Sequence, residues 1–205
     1  GAAVRDSEFT DLLLGQCGQN GIGLTHRARN PCGNKIGGGA GLGNEIREQF
    51  EFGIRIEGSA AFPPAPVLNR IQGNRIGWSL ADPAGAPGEV NRISGNGGAG
   101  IDLYGPLATQ AEVIGNYIGT IDPAGSWIAK PNGVGILVQA GAHGNLIGGS
   151  TTSRRNVIAG NAGHGIRLLN EGDFNTVEGN RIGLDPNGAP MPRPMYQSLA
   201  SCHEP

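Results

Sequence analysis

A short phrase returns three times along this chain of 205 residues: Gly-Asn, any residue, Ile-Gly, and a little later Asp-Pro-x-Gly. It stands at Gly73-Asn74-Arg75-Ile76-Gly77 with Asp82-Pro83-Ala84-Gly85, and at Gly115-Asn116-Tyr117-Ile118-Gly119 with Asp122-Pro123-Ala124-Gly125. The third copy is Gly179-Asn180-Arg181-Ile182-Gly183 with Asp185-Pro186-Asn187-Gly188. A unit this small cannot bury an apolar face by itself, so its return predicts that copies stack on one another.

Three shorter phrases alternate within that pattern. The first is Gly21-Ile22-Gly23-Leu24, Gly53-Ile54-Arg55-Ile56, Gly100-Ile101-Asp102-Leu103, Gly135-Ile136-Leu137-Val138 and Gly165-Ile166-Arg167-Leu168. The second is Asn34-Lys35-Ile36, Asn69-Arg70-Ile71, Asn145-Leu146-Ile147 and Asn175-Thr176-Val177, with Glu112-Val113-Ile114 as a variant. The third is Asn44-Glu45-Ile46, Asn91-Arg92-Ile93 and Asn156-Val157-Ile158. A larger duplication overlies them, since Asn44 and Asn156, Ile46 and Ile158, and Ile54 and Ile166 are each 112 residues apart.

Each phrase is too short for a helix, alternates in character and is rich in Ile and Val, as strands are. Gly and Asn bracket the phrases and permit the positive φ that sharp corners need. The same phrases in the same order imply a coil whose turns stack as parallel strands about 4.8 Å apart. Ile54, Ile101, Ile136 and Ile166 are expected to form one buried column, and Ile71, Ile114, Ile147 and Val177 another. The corner asparagines are expected to form hydrogen-bonded ladders.

Composition narrows the alternatives. Glycine supplies 38 residues, against 5% aromatic and 16% charged, which suits neither a helical bundle nor collagen, whose strict glycine period is missing. A net charge of −2 gives no footprint for nucleic acid. No apolar run approaches the ~20 residues that span a bilayer. Cys17 and Cys32 are read equally as a disulfide or as two free thiols, because spacing does not choose between them.

The Asn-x-Ile-x-Gly-Asn, Gly-Ile-x-Leu and Ile-Gly-x-x-x-Asp-Pro-x-Gly phrases resemble the repeats of right-handed parallel β-helix proteins of the pectate-lyase-like superfamily. The resemblance covers about residues 21 to 188. It implies an all-β, right-handed parallel β-helix (solenoid) of about five turns, in a secreted or cell-surface bacterial protein. Residues 1–20 are expected to form an N-terminal cap, with a brief helix over 7–15, and 189–205 an irregular proline-rich tail. Homo-oligomers through the coil ends would hide the open ends of such a stack. The superfamily contains enzymes and plain structural modules, so the fold does not select an activity.

Candidate chemistry follows from the outward positions. Arg55, Asp102 and Arg167 share the outward place of the Gly-Ile-x-Leu strand, where a carboxylate beside arginines could serve acid–base work on a polysaccharide; the simpler reading is a cross-strand ion pair. Trp78, Trp127 and Tyr117 lie in or beside the excursions after Ile-Gly corners, where aromatics stack on sugar rings or fold their own loop down onto the coil. Asp82, Asp122 and Asp185 stand at equivalent corners. Calcium is conceivable there, but Asp-Pro-x-Gly is an ordinary β-turn, and no metal or other cofactor is expected. The reading from sequence is therefore an extracellular module for carbohydrate binding or surface scaffolding, with a lyase or hydrolase as the alternative.

Overall fold

The computed structural model describes residues 8–9, 13–15, 20–25, 35–36, 45–47, 49, 51–57, 75–77, 91–122, 126–170 and 172–191. The first three strands are β1 (Glu8–Phe9), β2 (Leu13–Gly15) and β3 (Asn20–Thr25). They are followed by β4 (Lys35–Ile36), β5 (Glu45–Arg47) and β6 (Phe52–Glu57), then β7 (Arg75–Gly77), β8 (Arg92–Ser94) and β9 (Ala99–Tyr104). Next come β10 (Glu112–Ile114), β11 (Tyr117–Ile118), a small hairpin of β12 (Thr120–Ile121) and β13 (Ile128–Ala129), and β14 (Val134–Gln139). The remaining described strands are β15 (Leu146–Gly148), β16 (Val157–Ile158), β17 (Ile166–Leu169), β18 (Thr176–Glu178) and β19 (Arg181–Ile182).

Apart from the hairpin, every pairing is parallel, and the strands sort into three sheets. The first runs β1-β4-β7-β10-β15-β18, the second β2-β5-β8-β11-β16-β19 and the third β3-β6-β9-β14-β17. The chain thus passes through the three sheets in a fixed cyclic order, and the fold is all-β and β-helix-like. One short 3-10 turn, Thr152–Arg154, is the only helical element among the described residues.

The third sheet carries the Ile column in the expected register, Ile22, Ile54, Ile101, Ile136 and Ile166 lying side by side. All but the last are buried, and Ile166 packs against the cluster they form. Each buried isoleucine contributes on the order of 1.5–3 kcal/mol before chain entropy is set against it. The preceding glycine is required sterically. A Cβ on Gly53 would lie 2.6 Å from the carbonyl oxygen of Gly100 and 2.7 Å from Ile93 Cγ2.

Two expectations need correcting. The register of the first sheet aligns Ile36, Ile76, Val113, Ile147 and Val177, so Val113 stands where Ile114 was expected, and Ile114 pairs with Gly77 instead. Ile71 lies outside the described residues. The three copies of Gly-Asn-x-Ile-Gly also do not share a sheet: Arg75-Ile76 belongs to the first sheet, whereas Tyr117-Ile118 and Arg181-Ile182 belong to the second. The phrase encodes a short strand followed by a glycine corner, and that local requirement is the same in both sheets.

The segment expected to be helical is extended where it is described. Glu8–Phe9 and Leu13–Gly15 are strands that pair with β4 and β5, so the stack already begins there. At the other end, Leu184 bridges Pro190 in antiparallel fashion and the Met191 N–H donates to the Gly183 carbonyl at 2.9 Å. The tail beyond residue 191 lies outside the described residues. No helix among the described residues is long and apolar enough to cross a membrane.

Asparagine ladders tie the corners together. Between the first and second sheets, the side-chain amide of Asn91 donates to Asn116 Oδ1, Asn116 to Asn156 and Asn156 to Asn180, each at 2.9 Å. Between the second and third, Asn96 donates to Asn132 at 2.8 Å and Asn132 to Asn161 at 2.9 Å. Between the third and first, Asn145 donates to Asn175 at 3.0 Å. The amides also bond backbone of the adjoining turns, such as Ile93 and Val113. Polar groups of sharp corners, which would otherwise be buried without partners, are satisfied by this device.

Candidate functional site

Alternation along the third sheet turns every second residue outward. One outward column reads Arg55, Asp102, Leu137 and Arg167; the next reads Glu57, Tyr104, Gln139 and Leu169. Asp102 lies beside Arg55, with Arg55 Nη1 at 3.5 Å from Asp102 Oδ2, and Gln139 Nε2 donates to Asp102 Oδ1 at 2.8 Å. Arg55 Nε is 3.2 Å from Glu57 Oε2. Its guanidinium carbon stands 4.8 Å from the centre of the Phe52 ring and 4.6 Å from that of Tyr104. Two aromatic faces therefore hold the cation in place over the carboxylate.

Although it points outward, the Asp102 side chain is fully buried under this cover. Burial pushes its carboxyl up to about 6, against the pull of the Gln139 hydrogen bond and of Arg55, while Glu57 adds to the rise. Proton exchange in mild acid is chemically within its range. Arg55, itself only 18% exposed, lies against it.

Arg167 does not join this group. It is exposed on β17, two strands from Asp102 with Leu137 between them, a separation of roughly 10 Å at ordinary strand spacing. Sequence reasoning missed Glu57, Tyr104 and Gln139. The signal was present, since each lies two places after a phrase position already singled out, on the same face.

A second constellation lies on the outer face of the second sheet. Arg92, Tyr117, Val157 and Arg181 are neighbours across β8, β11, β16 and β19. The β12–β13 hairpin leaves the coil right after β11 and brings Trp127 over this face. The Trp127 and Tyr117 rings meet edge to face, 5.1 Å between centres at 83°. Arg92 approaches the Trp127 ring at 6.0 Å. Burial raises the Tyr117 hydroxyl above the ordinary tyrosine range, while Arg92 and Arg181 pull it down. The Arg181 guanidinium also donates to the Pro186 carbonyl. Both rings are half-buried. Trp78 lies outside the described residues.

Of the corner aspartates, Asp82 lies outside the described residues, and Asp185 behaves as a turn former. Its Oδ1 accepts the Ala189 N–H at 2.8 Å and its carbonyl accepts the Gly188 N–H at 2.9 Å, the pattern of an Asp-Pro-x-Gly turn. Among the described residues no three His, Cys, Asp or Glu side chains gather as metal ligands would. His143 and His164 stand at different corners, His143 bridging Thr109 and His164 preceding β17. Compared with protein-family models, curated proteins and solved structures, the chain shows no match.

Proposed function

We propose that this chain is a right-handed parallel β-helix module of about five turns, of pectate-lyase-like type. It would work outside the cell or on its surface, and bind glycan without cleaving it. The observation that carries the reading is the Tyr117–Trp127 pair, two half-buried rings at right angles on an outward sheet face, with Arg92 beside them. Aromatic faces offer a sugar ring apolar contact at low entropic cost, and such rings commonly dominate binding. The burial of Asp102 argues in the same direction, because a buried carboxyl group with Arg55 against it is poorly placed to meet a glycosidic bond.

The test is binding to a panel of soluble neutral and acidic polysaccharides, measured by calorimetry or affinity electrophoresis. Trp127→Ala is expected to weaken binding about tenfold or more, and Asp102→Asn to leave it within about twofold. Unchanged binding in Trp127→Ala would reject this platform. The cleaving alternative has one observation of its own, the Asp102 carboxyl at about 6 beside Arg55. It would appear as new reducing ends or unsaturated products that vanish in Asp102→Asn, a loss of about a hundredfold or more for a missing acid–base group.

A further inference from the structure

The outward column of the second sheet changes character from strand to strand. Glu45 holds its register place on β5, Arg92 on β8, Tyr117 on β11, Val157 on β16 and Arg181 on β19. The two arginines therefore bracket Tyr117 and Val157, three strand spacings or roughly 14 Å apart at the backbone. Glu45 stands below Arg92, so the acidic place of the column lies outside the bracket. Val157 faces outward and is nonetheless only 4% exposed, so neighbouring side chains lie across it; Tyr117 and Arg181 stand on either side.

Burial raises the Tyr117 hydroxyl, and the charges of Arg92 and Arg181 act against that rise, so both cations bear on the outer end of this ring. Both arginines are half-buried, as the two rings are. Arg92 approaches Trp127, and Arg181 donates to the Pro186 carbonyl of the turn that follows β19. A guanidinium carries more N–H donors than the bond to Pro186 uses.

We propose that the glycan taken by this face is anionic, its sugar rings on Tyr117 and Trp127 and a carboxylate or sulfate group held by Arg92 and Arg181. The inference rests on the Tyr117–Trp127 platform proposed above and adds which sugars it selects. Rings alone accept any saccharide with an apolar face, neutral or charged. A planar guanidinium can engage two oxygens of a carboxylate or sulfate at once, and partial burial strengthens each such bond. A neutral sugar brought against two half-buried cations displaces water from them and returns no charge. The chain as a whole carries a charge of −2, so no general attraction draws polyanions to it, and selection falls to this local pair.

The test uses polymers matched in pairs: hyaluronan with its methyl ester, carboxymethyl with hydroxyethyl cellulose, and dextran sulfate with dextran. Calorimetric titration at low and high salt gives the affinity ratio within each pair. The charged member of at least one pair is expected to bind about tenfold or more tighter than its neutral partner, the preference shrinking as salt rises. A preference confined to the first two pairs identifies the group as carboxylate, and one confined to the dextran pair as sulfate. Arg92→Gln and Arg181→Gln should each bring the ratio toward one, and Arg181→Lys, which keeps the charge without the fork, should retain part of it. The ratio is read within one protein, so a smaller folded fraction does not imitate its loss. Equal affinity within every pair, or a preference that both glutamine variants keep, would overturn the inference and leave the ring platform standing. Trp127→Ala is expected to weaken both members of a pair. Binding that this variant leaves unchanged, or no binding of any of these polymers, would reject the platform and this inference with it.

Discussion

Asp102 sits on an outward strand position and is nonetheless buried, and its protonation is coupled to folding for that reason. An aspartate in an unfolded chain titrates at about 3.9, whereas burial lifts Asp102 to about 6 in the folded protein. Between those values the folded state holds the proton more often than the unfolded state does. The stability this group contributes is therefore fully present below about pH 4 and is lost as pH rises through about 6. The gap between the two values is equivalent to about 2–3 kcal/mol. Urea unfolding at pH 4 and pH 7 should show Asp102→Asn removing most of this fall while the rest of the pH profile is kept. An equal fall in the variant would place the titration elsewhere. The ladder residues contrast with Asp102 in being fully satisfied. Asn156 accepts from the backbone and the side-chain amide of Asn116 and donates to Val113 and Asn180, so its polar capacity is used without a charge.

At the scale of elements, what the sequence disclosed depended on how sterically strict each position is. The Gly-Ile-x-Leu strand could be read residue by residue, because its glycine tolerates no side chain and its isoleucine must enter the core. Gly53→Ala would push a Cβ to within 2.6 Å of a backbone oxygen in the next turn and 2.9 Å of the Asn96 amide nitrogen. It should destabilise by about 2 kcal/mol or more, read as a lower urea midpoint, because the first neighbour is backbone and the second is held by its hydrogen bond to Asn132. Stability unchanged by this substitution would contradict the close approach of β6 and β9. The first-sheet strand was harder to read. Glu112-Val113-Ile114 offers two β-branched residues in a row, both fully buried, and composition alone does not say which one faces the coil interior. The N-terminal segment misled for a related reason. Leu12-Leu13-Leu14 has high helix propensity, but Leu13–Gly15 can pair with the Glu45–Arg47 edge, and tertiary pairing overrides propensity. The Arg55 sandwich was hidden because it needs Phe52 and Tyr104, whose proximity depends on two strands being in register.

For the molecule as a whole, a stack of turns distributes its stability along one dimension, so a residue's weight depends on how many turns lie on either side of it. The second-sheet column shows this with one residue type: Ile93, Ile118 and Ile158 are 0% exposed, whereas Ile182 at the end of the same column is 52% exposed. Ile158→Ala removes side-chain atoms packed between two turns and should cost about 2–5 kcal/mol, transfer and cavity terms together. Ile182→Ala removes the same atoms from a place that is already half in water. It should cost about 1 kcal/mol or less. Guanidinium titrations of the two variants give the comparison directly. Ile136→Asp extends the argument to the middle of the third sheet, where an unpaired charge enters a column that is closed above and below, and no folded protein is expected. Similar losses for Ile158→Ala and Ile182→Ala would mean that the turn carrying Ile182 is closed in solution as tightly as the turns beneath it.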